Sequence, residues 1–154
     1  MNGSDPDVIR ERALRLLARR EHSRAELARK LRQRGEGDGL EVVLDALERD
    51  GLLSDSRFAE AYVRMRVGRG YGPLRIEAEL AERGIDSGLA GVSLRAGEPD
   101  WTGQCRVVAR KHFSEPAADV REHARRTRFL LRRGFASADV RAALAAIEQW
   151  EHEQ

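Results

Sequence analysis

The sequence predicts an all-α protein built from three tandem units of three helices each. Apolar residues recur at helical spacing along nearly the whole chain, as Leu40, Leu44 and Leu47 do. No stretch shows four or more strict apolar–polar alternations, and aromatic residues make up only 5% of the 154 residues. The pattern Leu-x-x-Arg-Gly occurs three times, at residues 31–35, 80–84 and 130–134. Its glycines lie 49 and 50 residues apart, a period typical of stacked helical arrays.

Capping residues and prolines mark where the helices begin. Asp5 precedes Pro6, which suits the first position of a helix. Residues 23–26 (SRAE) form a capping box, in which the Ser23 hydroxyl accepts from the Glu26 N–H and Glu26 reaches back. Further starts are predicted at Ser54-Asp55, Gly72-Pro73 and Asp100. Helix ends, where a left-handed residue is needed, are predicted at Gly35, Gly51, Gly84 and Gly134, so that about nine helices are expected.

These signals divide the chain into three repeats and a tail. The predicted bounds are residues 6–53 for repeat 1, 54–97 for repeat 2, 98–148 for repeat 3 and 149–154 for the C-terminal tail. The three-helix unit with a glycine turn resembles a helix-turn-helix, which is a weak sign of function because many such units only pack.

The last helix of repeat 2 is expected to be short or loose. Gly88, Gly91 and Gly97 interrupt it, and each interior glycine costs about 1 kcal/mol relative to alanine. We therefore expect the chain to hinge near residues 96–100. Trp101 and Trp150, at helix ends, are expected to anchor packing.

Composition excludes several classes of protein. The single cysteine, Cys105, rules out a disulfide scaffold and a multi-cysteine zinc module, and we expect it to be a buried thiol. No apolar run approaches the roughly 20 residues of a membrane helix. The first twelve residues lack the pattern of a secretory signal. A cytoplasmic protein without a membrane partner is the expectation.

Catalytic and metal-binding patterns are missing from the sequence. The four histidines have no metal-ligand spacing with one another or with Cys105, and we expect surface or structural roles for His22, His112, His123 and His152. Residues 68–72 (GRGYG) lack the Gly-Lys-Ser/Thr ending of a phosphate loop. We interpret them as a flexible junction that displays Arg69. We expect no enzyme, no cofactor and no metal.

The net charge of +2 conceals strongly charged blocks. Residues 10–34 carry ten cations and three anions, and residues 106–133 carry nine cations and three anions. Residues 57–75 carry five arginines and one anion, whereas residues 36–50 carry six anions and one cation. Three basic blocks predict a polyanionic partner, an acidic protein surface, or both. For any single helix, a solvated face with internal ion pairs is an equally good interpretation.

The middle of the chain carries a long motif. It comprises residues 51–66 (GLLSDSRFAEAYVRMR), 70–80 (GYGPLRIEAEL) and 84–86 (GID). This motif closely resembles the RecX family of recombination regulators. The segment 126–135 (RTRFLLRRGF) with Val140 and Leu144 is similar to the end segment of that family, and Trp101 resembles the opening of its third unit. The resemblance extends over about residues 8–148.

The resemblance implies a fold and a function. The fold would be three tandem three-helix, helix-turn-helix-like repeats in an elongated, curved array. The chain would bind in the groove of the RecA filament on single-stranded DNA, as a monomer. It would lower RecA's ATP hydrolysis, strand exchange and cleavage of the SOS repressor, and so limit recombination and DNA repair.

Arginines near the unit junctions are the predicted contacts to RecA or DNA. Their role would be an ion pair with an acidic filament surface or a contact with phosphate. The first set is Arg64, Arg66, Arg69, Arg126, Arg128, Arg132 and Arg133. The second set is Arg29, Lys30 and Arg32.

A direct DNA-binding module is the alternative function. It would inhibit RecA by competing for DNA, and its binding would depend steeply on salt. The small net charge and the lack of evident stacking aromatic residues argue against strong binding by the chain alone. A sequence-specific helix-turn-helix regulator is a weaker alternative, because base-reading Asn and Gln residues are scattered or rare.

Overall fold

The computed structural model describes residues 5–35 and 37–152, and describes side chains as far as Gln149. The predictions for Trp150, His152 and the end of the tail therefore lie outside the described side chains. Across these residues the fold is all-α, as predicted, with nine helices and no strand. The helices are α1 (Pro6–Arg19), α2 (Arg24–Gln33), α3 (Leu40–Arg49), α4 (Asp55–Gly68), α5 (Pro73–Glu82), α6 (Ser87–Arg95), α7 (Trp101–His112), α8 (Val120–Arg132) and α9 (Ser137–His152). No helix in this part of the chain is both long and apolar enough to span a bilayer.

The predicted helix starts are confirmed by hydrogen bonds. The Asp5 carboxylate accepts from the Asp7 N–H at 2.9 Å, and the Asp100 carboxylate accepts from the Gly103 N–H at 2.9 Å. The Ser23 hydroxyl accepts from the Glu26 N–H at 3.1 Å, as the capping box predicts. The Glu26 carboxylate instead binds the Arg20 guanidinium, so that half of the box is replaced by an ion pair.

The predicted helix ends are confirmed by the backbone. Gly35, Gly51, Gly84 and Gly134 all have positive φ, between +74° and +98°. An L-residue pays a steric cost there, which explains why each stop carries glycine. The last helix of the middle repeat is short, as predicted: α6 has nine residues. The hinge near residues 96–100 stays a prediction.

One compact unit comprises the described residues within 1–62 and 80–93. One cluster of its apolar core comes from the first three helices and the turn that follows them. The buried residues of this cluster are Ile9, Ala13, Leu27, Ala28, Leu31, Leu40, Val43, Leu44, Leu47 and Leu53. The rest of the unit buries further apolar residues, among them Phe58, Ala59, Leu80, Ile85 and Ala90. Burying one such leucine contributes roughly 2 kcal/mol relative to leaving it exposed.

The second compact unit comprises the described residues within 63–79 and 94–154. Its core is formed by α7, α8 and α9 and includes Cys105, Leu130 and Phe135. Cys105 is fully buried, as predicted, and burial raises the pKa of its thiol to about 12. The Thr102 hydroxyl donates to the Asp139 carboxylate at 2.6 Å and links α7 to α9.

Within each unit, a glycine turn docks on the start of another helix. In the first unit, the Ser23 hydroxyl donates to the Arg83 carbonyl at 2.6 Å, and Gly84 lies against Ala25. In the second unit, the Gly72 N–H donates to the Arg133 carbonyl at 2.7 Å. In both units the carbonyl before the glycine accepts a hydrogen bond, from a side-chain hydroxyl in the first and from a backbone N–H in the second. The second and third copies of the Leu-x-x-Arg-Gly pattern therefore serve as docking elements as well as helix stops.

Candidate functional site

The second unit holds a cluster of arginines around one tyrosine. The guanidinium carbons of Arg66, Arg75 and Arg133 lie 3.7, 4.5 and 4.8 Å from the centroid of the Tyr71 ring. At these distances each cation is attracted by the ring electrons. We call Tyr71, Arg66, Arg75, Glu79 and Arg133 the Tyr71 cluster.

Glu79 is the carboxylate of this cluster. Its two oxygens accept from Nε and Nη2 of Arg66 at 2.9 and 2.8 Å, and Arg75 Nε lies 3.5 Å from it. The Arg66 and Glu79 side chains are only 12% and 17% exposed, so solvent screens their pairing weakly. The Arg66 guanidinium therefore stabilises the fold through its contacts with Glu79.

Docked turns hold the cluster in place. Residues 68–72 do not form the flexible junction that the sequence suggested, because the Gly72 N–H and the Leu74 N–H donate to the carbonyls of Arg133 and Gly134 at 2.7 and 2.9 Å. A Cβ on Gly72 would lie 2.5 Å from the Gly134 carbonyl carbon, so only glycine permits this approach.

Two guanidinium groups strengthen the docking of the turns. Arg75 Nη1 donates to the Arg132 carbonyl at 3.2 Å, and Arg133 Nη1 donates to the Arg69 carbonyl at 3.0 Å. The main chains of Arg69 and Arg132 are thereby fixed while their side chains point to solvent. Two exposed cations are therefore carried by main chain that is held by hydrogen bonds.

Four of the predicted arginines, all in the second unit, are exposed. Within the described residues, no carboxylate lies at ion-pair distance from any of them, and none accepts a side-chain hydrogen bond from them. They are Arg64, Arg69, Arg128 and Arg132. Guanidinium groups in this state can bind phosphate or carboxylate without first breaking an internal pair.

Arg126 is placed differently from its neighbours on α8. It donates to the Glu122 carboxylate at 3.1 Å and to the Glu115 carbonyl at 2.6 Å, and its side chain is 11% exposed. It also lies 4.8 Å from the Phe113 ring centroid. Hydrogen bonds from Arg125 and then Arg126 lower the pKa of Glu122 to about 2. Arg126 thus ties α8 to the segment before it.

The basic and acidic blocks of the first unit pair with each other. Arg24 lies within 2.6 to 2.9 Å of carboxylate oxygens of Glu41, Asp45 and Glu48. Burial alone would lower the Arg24 pKa, but these three carboxylates more than offset that effect and raise it. Arg32 of the second predicted set also pairs with Glu41, at 3.0 Å. Much of the acidic block is therefore neutralised inside the unit.

The other residues of the second set differ in exposure. Arg29 is exposed, and no carboxylate among the described residues pairs with it. Lys30 Nζ lies 2.9 Å from Nε2 of His22, which is buried with 1% of its surface exposed. His22 Nδ1 lies 3.1 Å from the Arg20 carbonyl, so Nδ1 carries the proton and Nε2 accepts from Lys30. His22 is thus a structural histidine, as predicted.

Stability is expected to fall on acidification because of His22. Burial lowers the pKa of His22 below its ordinary value of 6.5, and the nearby Arg20 and Lys30 cations lower it further. The unfolded chain then binds a proton that the folded chain resists, so stability is complete above about pH 6.5 and is lost as pH falls towards the folded pKa. For each pH unit by which folding lowers this pKa, the free energy of unfolding above about pH 6.5 is larger by about 1.4 kcal/mol.

Urea denaturation at about pH 7.5 and about pH 5.5 measures this effect. His22→Gln is expected to flatten the difference between the two midpoints, whereas the exposed His112→Gln keeps it. Equal differences in both variants would contradict the assignment.

Sequence reasoning did not identify Tyr71, Arg75 or Glu79. Tyr71 lies between two glycines in the GRGYG segment, but the arginines around its ring come from elsewhere in the sequence and meet it only in the folded unit. Among the described residues, no group of three His, Cys, Asp or Glu side chains could hold a metal ion.

Short helices joined by docked glycine turns, with exposed arginines near those turns, define a helical-repeat protein. Comparison with models of protein families identifies the family of these repeats. Models of the RecX family match residues 10–49 as its first three-helix domain, 54–91 as its second and 103–144 as its third. The chain belongs to the RecX family.

Relatives and solved structures agree with that assignment. The regulatory protein RecX of Halorhodospira halophila is 48% identical over 149 residues, covering 96% of this chain and 92% of that protein. The regulatory protein RecX of Pseudomonas entomophila is 48% identical over 132 residues, or 84% of this chain and 85% of that protein. The crystal structure of RecX from Lactobacillus salivarius shares the fold, with a TM-score of 0.81 at 21% identity over 96% of this chain and 99% of that one.

Proposed function

We propose that this chain is a non-enzymatic regulator of RecA. It binds the RecA filament on single-stranded DNA, in the filament groove, and lowers ATP hydrolysis, strand exchange and SOS coprotease activity. The observation that carries this proposal is the 48% identity to a regulatory protein RecX over 96% of the chain. The protein acts in the cytoplasm as a monomer, limits recombination and DNA repair, and has repeats at residues 6–53, 54–97 and 98–148.

Arg69 and Arg132 are the proposed centre of the contact surface. Both side chains are exposed, and both main chains are fixed by guanidinium groups of the Tyr71 cluster. A cation on a fixed main chain loses less conformational freedom on binding than one on a mobile loop. Arg64 and Arg128 extend the surface, and Arg29 is a further exposed contact.

The remaining predicted residues support this surface or the fold. Arg66 and Arg133 hold the Tyr71 cluster together, and Arg126 anchors α8. Lys30 and Arg32 are engaged by His22 and Glu41. Arg66, Arg133, Arg126 and Lys30 act as positioning residues, so their replacement would change stability together with binding. The Arg32–Glu41 pair is exposed, so replacing Arg32 should change stability by at most about 1 kcal/mol.

Replacing Arg69 and Arg132 together by alanine tests the proposal. We expect the concentration that half-inhibits RecA-dependent ATP hydrolysis on single-stranded DNA to rise roughly tenfold, since two surface charge contacts are lost. The melting temperature should stay within about 2 °C, because both side chains are exposed. The control is the double variant Arg95→Ala, Arg141→Ala, which removes two exposed arginines outside the predicted set. Equal inhibition by both double variants would remove Arg69 and Arg132 from the site.

Direct competition for DNA is the second candidate function. Arg64, Arg69, Arg128 and Arg132 favour it too, because they are exposed and pair with no carboxylate in the described part of the chain, and phosphate binds such groups. It predicts that inhibition follows the fraction of DNA occupied by this protein in the absence of RecA. The filament proposal predicts inhibition at concentrations that leave the DNA unoccupied.

A further inference from the structure

Two leucines are exposed beside the docked turn that ends α8. Leu74, in the first turn of α5, is 56% exposed, and Leu131, in the last turn of α8, is 42% exposed. Among the described residues, Leu52 is the only other leucine of comparable exposure, at 41%. Single exposed apolar residues are ordinary, but two leucines at one turn form a surface that a partner would gain free energy by covering.

Hydrogen bonds hold the main chains of both leucines at the same turn. The Leu74 N–H donates to the Gly134 carbonyl at 2.9 Å, and the Gly134 N–H donates to the Leu131 carbonyl at 3.0 Å. The Arg75 guanidinium adds a hydrogen bond to the Arg132 carbonyl at 3.2 Å. The start of α5 and the end of α8 are thereby joined, and each leaves one leucine exposed.

Helix geometry places Leu131 among cations. Arg128, Leu131 and Arg132 stand at positions i, i+3 and i+4 of α8 and so share one face of that helix. Both arginines are exposed, and in the described part of the chain neither has a carboxylate at ion-pair distance. Arg69, on the turn before α5, is a third exposed cation. We call Leu74, Leu131, Arg69, Arg128 and Arg132 the α5–α8 surface.

The composition of the α5–α8 surface fits a protein partner better than a phosphate backbone. Phosphate oxygens would bind the guanidinium groups but would leave both leucines uncovered. Surfaces that bind nucleic acid are more polar and more positively charged than protein interfaces. Protein interfaces combine arginine with apolar side chains, and the apolar contacts gain most where charged pairs surround them and exclude water. The complementary partner therefore presents an apolar side chain with carboxylates around it.

We propose that the α5–α8 surface docks on protein of the RecA filament, at a patch where carboxylates surround an apolar side chain, and not on the DNA backbone. This inference rests on the proposed regulation of RecA and deepens it, because it chooses between acidic protein and phosphate as the ligand of these arginines. It also adds Leu74 and Leu131 to the contact. The leucines supply an attraction that salt does not screen, and the arginines supply one that it does.

Replacing Leu74 and Leu131 together by glutamine tests this docking. Both leucines are exposed, so the melting temperature should stay within about 2 °C. The concentration that half-inhibits RecA-dependent ATP hydrolysis on single-stranded DNA should rise roughly tenfold, by a similar factor at about 50 and about 200 mM salt. Affinity for a labelled oligothymidylate in the absence of RecA, measured by fluorescence anisotropy, should not change.

The matched control replaces Val107 and Val120 together by glutamine. These valines are 62% and 86% exposed and belong to the same unit, on α7 and at the first residue of α8. Along the axis of α8, Val120 lies roughly 16 Å from Leu131. The control should therefore inhibit RecA at the same concentration as the natural chain.

Two results would overturn this inference and leave the regulation of RecA standing. The first is equal inhibition by the leucine and the valine double variants. The second is a fall in oligonucleotide affinity of the leucine variant, which would assign the α5–α8 surface to DNA. A natural chain that fails to inhibit RecA at either salt concentration would instead contradict the proposed function, and this inference with it.

Discussion

Replacing Gly134 by alanine is expected to lower the free energy of unfolding by about 3 kcal/mol or more. Gly134 has φ +98°, a conformation that an L-residue adopts only with strain. The added Cβ would also lie 2.6 Å from the main-chain nitrogen of Arg75, and backbone cannot move aside as a flexible side chain can. The turn must therefore separate from the start of α5, with loss of the hydrogen bonds at Gly72 and Leu74.

Gly35→Ala is the matched control for this prediction. Gly35 has φ +84° and ends the first copy of the same pattern, but among the described residues other than its chain neighbours, no atom lies within 4 Å of the Cβ that alanine would add. Only backbone strain remains, which is worth about 1 kcal/mol. Thermal denaturation should show a fall in the melting temperature of about 6–12 °C for Gly134→Ala and about 2–4 °C for Gly35→Ala. Equal falls would show that docking of the turn contributes nothing.

Replacing Glu79 by glutamine is expected to destabilise the second unit by about 2 kcal/mol, less than the roughly 3–5 kcal/mol of a fully buried pair. Arg66 would lose its bidentate carboxylate, and Arg75 and Arg133 would remain close to it around Tyr71. Three cations would then share one aromatic ring after the carboxylate that binds Arg66 has been neutralised. The weak exposure of the Arg66–Glu79 pair limits how far solvent relieves their repulsion.

Glu11→Gln serves as the control for Glu79→Gln. It removes the carboxylate of an exposed pair, so urea denaturation should show a change of at most about 1 kcal/mol. If Glu79→Gln changed stability no more than Glu11→Gln, the Tyr71 cluster would not hold the turns together. The same reasoning explains why Arg66→Ala is a poor test of binding, since it would unsettle the surface that Arg69 and Arg132 share.

The helices were predictable because their signals are local. The Ser23 cap and the glycine stops at residues 84 and 134 act through neighbours within four residues, and the structure has them where the sequence placed them. The Tyr71 cluster was not predictable in this way. Its contacts join residues 66, 79 and 133, which become neighbours only after the turns dock. A single sequence gives no signal for that docking beyond the repeated glycines.

Counting charges along the sequence does not reveal whether an individual arginine is paired inside the fold or exposed to solvent. Arg126 and Arg132 lie on the same helix, yet Arg126 is bound by Glu122 and the Glu115 carbonyl while Arg132 faces solvent. The rotation of α8 about its own axis, relative to the rest of the unit, determines which of its side chains are exposed. The charge blocks left a charged partner and internal ion pairs open as interpretations, and Arg24 pairs with three carboxylates of α3 inside the unit.

Regulation of RecA is tested most directly by titrating this protein into RecA-catalysed ATP hydrolysis on single-stranded DNA. Oligonucleotide occupancy by the protein alone is measured beside it, at about 50 and about 200 mM salt. Binding to the filament predicts half-inhibition at concentrations at which the protein alone occupies little of the DNA, and predicts that this persists at the higher salt. Inhibition that merely follows DNA occupancy at both salt concentrations, or no inhibition at all, would contradict it.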